Sequence, residues 1–130
     1  MKYFLDTHIF IWHAEAIPKL SSGVLAEIED PKNSIYVSHA CFWEITIKVS
    51  NRKLDMSIPI SELRQLVAKS DFQPQGFNFE HYESLETLPY HHNDPFDRML
   101  IAQAIAEDFT IITQDKQFAA YEPLVKILWN

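Results

Sequence analysis

The stretch from Asp94 to Asp108 constrains the fold more than any other part of the chain. Asp94 is a natural N-cap, and Pro95 suits the first helical position, where a missing N–H costs nothing. Behind them, Met99, Leu100, Ile101, Ala102, Ala104, Ile105 and Ala106 predict a helix that is apolar on most sides. Such a helix has little surface to offer water and belongs in the interior. It is followed by Phe109-Thr110-Ile111-Ile112-Thr113, a β-branched run that reads as a strand and leads to Asp115.

The remaining segments repeat this alternation. Lys2 to Leu5 reads as a short apolar strand that stops at Asp6, and a helix is predicted to start at Ser21, with Val24, Leu25 and Ile28 facing inward. Ile35-Tyr36-Val37 is a second strand, after which Ser38 caps a helix carrying Trp43, Glu44, Ile45 and Lys48 and ending near Asn51. Pro59 fits the first turn of a helix with Leu63, Leu66 and Val67. A short strand is expected at Phe77, helix from Glu80 to Leu88, a short helix around Phe118 and a last strand from Val125 to Leu128. Strands alternating with helices over 130 residues predict one α/β domain, residues 1–130, with a mostly parallel central sheet. In such sheets ligands bind past the carboxyl ends of the strands, where Asp6 and Asp115 both fall.

Composition removes several function classes. Two glycines leave no Gly-rich phosphate loop or dinucleotide fingerprint. A net charge of −7 disfavours a simple nucleic-acid binder, because phosphates are held mainly by Lys and Arg. A divalent cation among carboxylates reverses that sign locally, which leaves a metallonuclease open. The lone Cys41 permits no internal disulfide and reads as a buried core residue in a reducing compartment. Asp6, His8 and His13 interrupt the apolar N-terminal run, and no segment is long and apolar enough to span a membrane. The expectation is a cytoplasmic protein without membrane association.

Four acids sit in apolar surroundings: Asp6 and Asp115 after strands, Glu44 between Trp43 and Ile45, and Asp97 in the first turn of the buried helix. A carboxylate so placed must be hydrogen-bonded, paired or metal-bound to offset its desolvation. Each also has a local reading. Asp6 ends a strand, Glu44 pairs with Lys48 at i+4, Asp97 completes a capping arrangement with Asp94, and Asp115 is a turn residue. If the four converge, repulsion decides: two charges about 4 Å apart repel by roughly 4 kcal/mol at an effective dielectric near 20. The cluster must then take up protons or bind a cation, and oxygen-only ligands select hard ions such as Mg²⁺ or Mn²⁺.

Asp6-Thr7-His8, Trp43-Glu44-Ile45 with Lys48, His91-His92-Asn93-Asp94-Pro95-Phe96-Asp97-Arg98 running into Leu100-Ile101-Ala102-Gln103-Ala104, and Thr113-Gln114-Asp115 occur in that order. The set resembles the PIN-domain family over essentially the whole chain, specifically the VapC-like toxins of bacterial type II toxin–antitoxin systems. That resemblance implies a three-layer α/β/α fold and Mg²⁺- or Mn²⁺-dependent cleavage of RNA, leaving 5′-phosphate and 3′-hydroxyl ends. It implies Asp6, Glu44, Asp97 and Asp115 as the catalytic metal-binding acids; among them Asp6 and Asp97 are expected to be the main ligands. It further implies a homodimer and a small antitoxin partner through which any contact with DNA is made. His8 departs from the pattern, because many members carry Asn there.

Supporting positions carry two readings each. Thr113 orients Asp115 or a water, or is an ordinary strand-end hydroxyl; Thr7 hydrogen-bonds near Asp6, or is likewise ordinary. Arg98 makes a surface ion pair or a phosphate contact, and Asp94 is a cap or an outer-shell residue. Zinc is disfavoured: His91 and His92 are adjacent, His8 and His13 lack i, i+4 spacing, and no Cys ligand set exists. Phe42, Trp43 and Trp12 read as core or dimer packing ahead of base stacking. The rival classes are a stand-alone RNA-processing nuclease, phosphoryl transfer through an Asp6 intermediate (disfavoured by His8, where a second Asp is wanted), and a non-catalytic acidic interaction module.

Overall fold

Residues 1–130 are described by a computed structural model. Its strands are β1 (Lys2–Leu5), β2 (Ser34–Ser38), β3 (Gln73–Gln75), β4 (Thr110–Thr113) and β5 (Ile127–Trp129). Its helices are α1 (Thr7–Ala14), α2 (Ser22–Glu29), α3 (His39–Ser50), α4 (Leu63–Lys69), α5 (Phe79–Glu86) and α6 (Pro95–Glu107). The strands form one sheet of order β3-β2-β1-β4-β5, and every pairing is parallel. Neighbouring residues on a strand point to opposite faces. Phe4 and Leu5 on β1 and Ile111 and Ile112 on β4 are all buried, so both faces of the central strands are covered. This is the three-layer α/β/α arrangement.

α6 buries six of its thirteen residues, more in number than any other helix, as its composition predicts. Leu100, Ile101, Ala102, Gln103 and Ala104 are enclosed in sequence, and the helix packs against α3, α5 and β4. Asp94 accepts the Asp97 N–H at 2.9 Å, and Pro95 opens the helix. The helix ends at Asp108 in the left-handed region, φ 57° and ψ 45°, a conformation Asp tolerates better than most non-glycine residues.

Four expectations need correction. Thr7–Ala14 is helical, whereas no element was expected between Asp6 and Ser21. Its β-branched and aromatic residues have modest helix propensity, and Ile9, Phe10, Ile11 and Trp12 are buried together without helical periodicity. Burial against the sheet decides its form. Phe77 lies beyond the edge strand, which is Gln73–Gln75 and shows none of the apolar alternation that marks strands. The last strand is shifted to Ile127–Trp129, and Pro59 precedes a 3-10 turn, Ile60–Glu62, rather than α4 itself.

Candidate metal centre

In an all-parallel sheet every strand delivers its carboxyl end to the same edge. Here β1 is central, the chain builds outward first through β2 and β3, then returns to β4 on the other side. The β1/β4 boundary is therefore a topological switch point, the place such sheets open a crevice. Leu5 pairs with Ile112, so Asp6 and Thr113 emerge side by side. The Asp6 N–H is tied to the Ile112 carbonyl at 3.0 Å.

Asp6 is almost fully buried and occupies the N-cap position of α1 without capping it. Its Oδ2 instead accepts the Thr113 hydroxyl at 2.7 Å. Burial pushes the Asp6 carboxyl above the usual range, opposed by the Thr113 hydrogen bond and by His8. Thr113 also accepts the Asp115 N–H at 3.0 Å, so one buried hydroxyl organises the ends of both central strands. It does not orient the Asp115 carboxylate, which accepts the Gln117 N–H at 2.9 Å at the start of a 3-10 helix, Lys116–Tyr121.

Glu44 is buried on α3 and held at both oxygens: Thr7 donates to Oε1 at 2.7 Å and Lys48 to Oε2 at 2.6 Å. The i+4 pairing with Lys48 is thus real, on a glutamate that is buried rather than solvated. The Thr7 hydroxyl serves Glu44, while its backbone N–H favours the Asp6 carboxylate. Asp97 leaves its backbone to the Asp94 cap and turns its carboxylate into the cleft, where Oδ2 lies 2.8 Å from His92 Nε2. It closes no capping box. Burial and then the neighbouring Asp6 push the Asp97 carboxyl up to about 7, against the lowering effect of His92.

These side chains line one cleft of about 220 Å³ with no apolar residue in its wall. Asp6, Glu44, Asp97 and Asp115 all reach it, joined by Asp94, Lys48, His8 and Gln117. His92 is there too, and its ring nitrogen lies within 4.8 Å of carboxylate oxygens of Asp97 and Asp115, which lie as close to each other. Sequence reasoning set His92 aside because it is paired with His91. In the fold the two diverge, His91 lying edge-on to Tyr121 and His92 entering the cleft. The only sequence signal was its place five residues before Asp97 in a motif already singled out.

Arg98 corrects both of its readings. It is buried, and its guanidinium donates to the carbonyls of Leu88 (3.1 Å), Pro89 (2.9 Å) and His92 (3.3 Å) and to the Tyr121 hydroxyl (3.4 Å). It neither pairs with a surface acid nor faces a phosphate site. A fully charged fork inside the fold is tolerable because its donors are met by loop carbonyls. Among the aromatics, Trp12 is buried and Phe42 packs on the core, whereas Trp43 is 58% exposed beside Phe96.

The donor set fits a divalent cation. Five carboxylates meet one lysine, Asp97 is pushed towards neutrality by burial and then by neighbouring acids, and hard oxygen donors dominate. A profile of the family described as PIN domain matches residues 3–123. The chain belongs to the PIN-domain family. As a PIN domain it is similar in fold to a chain in the crystal structure of VapBC2 from Rickettsia felis bound to a promoter DNA fragment. That match has a TM-score of 0.74 at 18% identity, covering 100% of this chain and 99% of the other. A chain of DNA-bound VapBC from Salmonella typhimurium matches with a TM-score of 0.70 at 13% identity, over 99% and 98% of the two chains. VapBC-5 from Mycobacterium tuberculosis matches at 0.62 and 18%, over 98% and 96%. No curated protein sequence matches this PIN domain. None of its helices is long and apolar enough to cross a membrane.

Proposed function

We propose that this PIN domain is a metal-dependent endoribonuclease and the toxin of a type II toxin–antitoxin pair. The observation that carries the reading is the meeting of Asp6, Glu44, Asp97 and Asp115, from four separate segments, in one wholly polar cleft at the switch point of the sheet. Family membership and likeness in fold to chains of VapBC complexes support it.

Asp6 and Asp97 hold Mg²⁺ or Mn²⁺, with Glu44 and Asp115 completing the site directly or through water. A cation bound there supplies an activated water and neutralises charge on the phosphodiester. The chain's own residues prepare the site. Thr113 fixes the Asp6 carboxylate, while Thr7 and Lys48 clamp that of Glu44. The rigid strand ends and α6 keep the acids in place despite their repulsion. A bound cation also lets an acidic protein accept a polyanion, since the net charge of −7 repels RNA elsewhere. The protein acts in the cytoplasm as a homodimer, held by a small cognate antitoxin, and meets DNA only through that partner.

The test is RNA cleavage by the purified protein with Mg²⁺ or Mn²⁺, its arrest by EDTA, and its loss in Asp6→Asn and Asp97→Asn with folding retained by circular dichroism. Full activity in either variant, still metal-dependent, defeats the assignment. A neighbouring reading frame encoding a small protein with a DNA-binding N-terminus supports the toxin role; its absence leaves a stand-alone processing nuclease.

A further inference from the structure

His92 stands in the cleft without a part in the metallonuclease reading, on which this inference rests. We propose that the His92 imidazole is a direct ligand of the divalent cation held by Asp97, so that the site carries one nitrogen donor among its carboxylates.

Geometry comes first. His92 Nε2 and Asp97 Oδ2 are 2.8 Å apart, and both lie within 4.8 Å of an Asp115 oxygen. Ligands at about 2.1 Å in an octahedron stand about 3 Å apart when adjacent and about 4.2 Å apart when opposite. The trio spans the space one ion needs. A purely structural His92–Asp97 pair leaves the approach of Asp115 unexplained.

The support of His92 is the second argument. The N–H groups of His91 and His92 donate to the Tyr121 hydroxyl at 3.0 and 3.1 Å, and that hydroxyl donates to the Pro89 carbonyl at 2.6 Å. Arg98 grips the same loop through the carbonyls of Leu88, Pro89 and His92. A buried guanidinium and a buried phenol are committed to the loop that aims this imidazole. Rigid backbone behind a ligand is what a metal site requires. The third argument is charge: a neutral imidazole adds a donor without adding to the repulsion among the acids.

A nitrogen ligand has a consequence for metal choice. Imidazole suits transition ions, whereas Mg²⁺ is at home among oxygens. His92 therefore raises affinity for Mn²⁺ relative to Mg²⁺.

The experiment uses the full chain, freed of metal and loaded with Mn²⁺ alone. Pulsed electron paramagnetic resonance reads nitrogen coupling to the bound Mn²⁺ in protein labelled with [¹⁵N]histidine and in unlabelled protein. Coupling is expected in the wild type, to change isotope with the label, to persist in His8→Gln and to vanish in His92→Gln. Calorimetry is expected to show the Mn²⁺ preference over Mg²⁺ falling about tenfold in His92→Gln. Bound Mn²⁺ without histidine coupling in the wild type overturns the proposal, as does coupling that survives His92→Gln or disappears in His8→Gln. The isotope comparison needs no variant, so a folding defect in His92→Gln does not remove the test. Failure of the wild type to bind Mn²⁺ at all overturns the metallonuclease reading and this inference together, whereas binding without coupling overturns only the latter.

Discussion

Thr113 donates its hydroxyl to the Asp6 carboxylate at 2.7 Å, although 107 positions separate the two. The contact exists because β1 and β4 are adjacent parallel strands in a register that brings their carboxyl ends level. It makes a fully buried threonine the anchor of a buried acid.

Thr113→Val preserves shape and removes the hydroxyl. Asp6 then loses its orienting donor and the Asp115 N–H loses its acceptor. Metal affinity is expected to fall ten- to a hundredfold, in line with the usual cost of removing a partner of a metal ligand. Stability is expected to drop by about 1–3 kcal/mol for the stranded polar groups. Calorimetric Mn²⁺ titration and urea unfolding check the two effects, and Thr113→Ser should recover most of the binding. Unchanged affinity in the valine variant would show that Thr113 only closes the strand end.

Arg98→Met tests the interior role of the guanidinium. The substitution keeps much of the stem but strands the carbonyls of Leu88 and Pro89 and part of the hydrogen bonding at Tyr121. A loss of about 3–5 kcal/mol is expected, the usual scale for breaking a buried charged network from one side. Arg98→Lys should also be destabilising, because a point charge cannot reach several divergent carbonyls at once. Urea midpoints measure both. Normal stability with weakened RNA binding is the contrary result, and would return Arg98 to the surface.

Local sequence chemistry disclosed much of the molecule, and the limits have physical causes. α6 was legible because its cap, its opening proline and its apolar surface all point the same way. β1, β2 and β4 were legible as apolar β-branched or aromatic runs. α1 was not, because Ile9, Phe10, Ile11 and Trp12 are buried by the sheet whatever their propensity. Asp6, Glu44, Asp97 and Asp115 were all proposed from their apolar settings and motif contexts, and the fold brings them to one cleft. His92 and the true partners of Arg98, Thr7 and Thr113 were hidden because they depend on how loops and strands meet. A neighbouring histidine reveals nothing about where its partner's side chain will turn.

The pH dependence of stability follows from Asp97. Its folded value is raised from 3.8 to about 7, so the folded protein binds a proton more tightly than the unfolded chain does. Stability from this group is therefore steady below about 4, falls as pH rises from about 4 to about 7, and is level above that. Asp6 shifts in the same direction. The metal-free protein should lose a few kcal/mol across this window, and Asp97→Asn should flatten the profile. Saturating Mg²⁺ should remove most of the loss at pH 7, because a cation then neutralises the repulsion that the proton relieved. Urea unfolding between pH 4 and 8, with and without Mg²⁺, reads all three. A metal-free protein growing more stable from pH 4 to 7 contradicts the burial of Asp97 and its close approach to Asp6.

Lys48 makes the last prediction, since it is the one lysine or arginine lining the cleft. Its ammonium sits 2.6 Å from Glu44 and occupies a carboxylate that a cation would also use. Lys48→Met removes a positive charge from the neighbourhood of the ion and frees that oxygen. At an effective dielectric near 20, a unit charge about 6 Å from a divalent ion is worth roughly 5 kcal/mol before screening, and the solvent around the half-exposed Lys48 cuts this to about 1–2 kcal/mol. Mg²⁺ binding should therefore tighten about tenfold at low salt and by less at 0.15 M. RNA affinity in the presence of saturating metal should weaken, because the same ammonium attracts phosphate once Glu44 is engaged by the ion. Opposite movement of the two constants is the signature of a lysine that competes with the metal and assists the substrate. If both weaken together, Lys48 instead holds Glu44 in the only orientation that can serve the site.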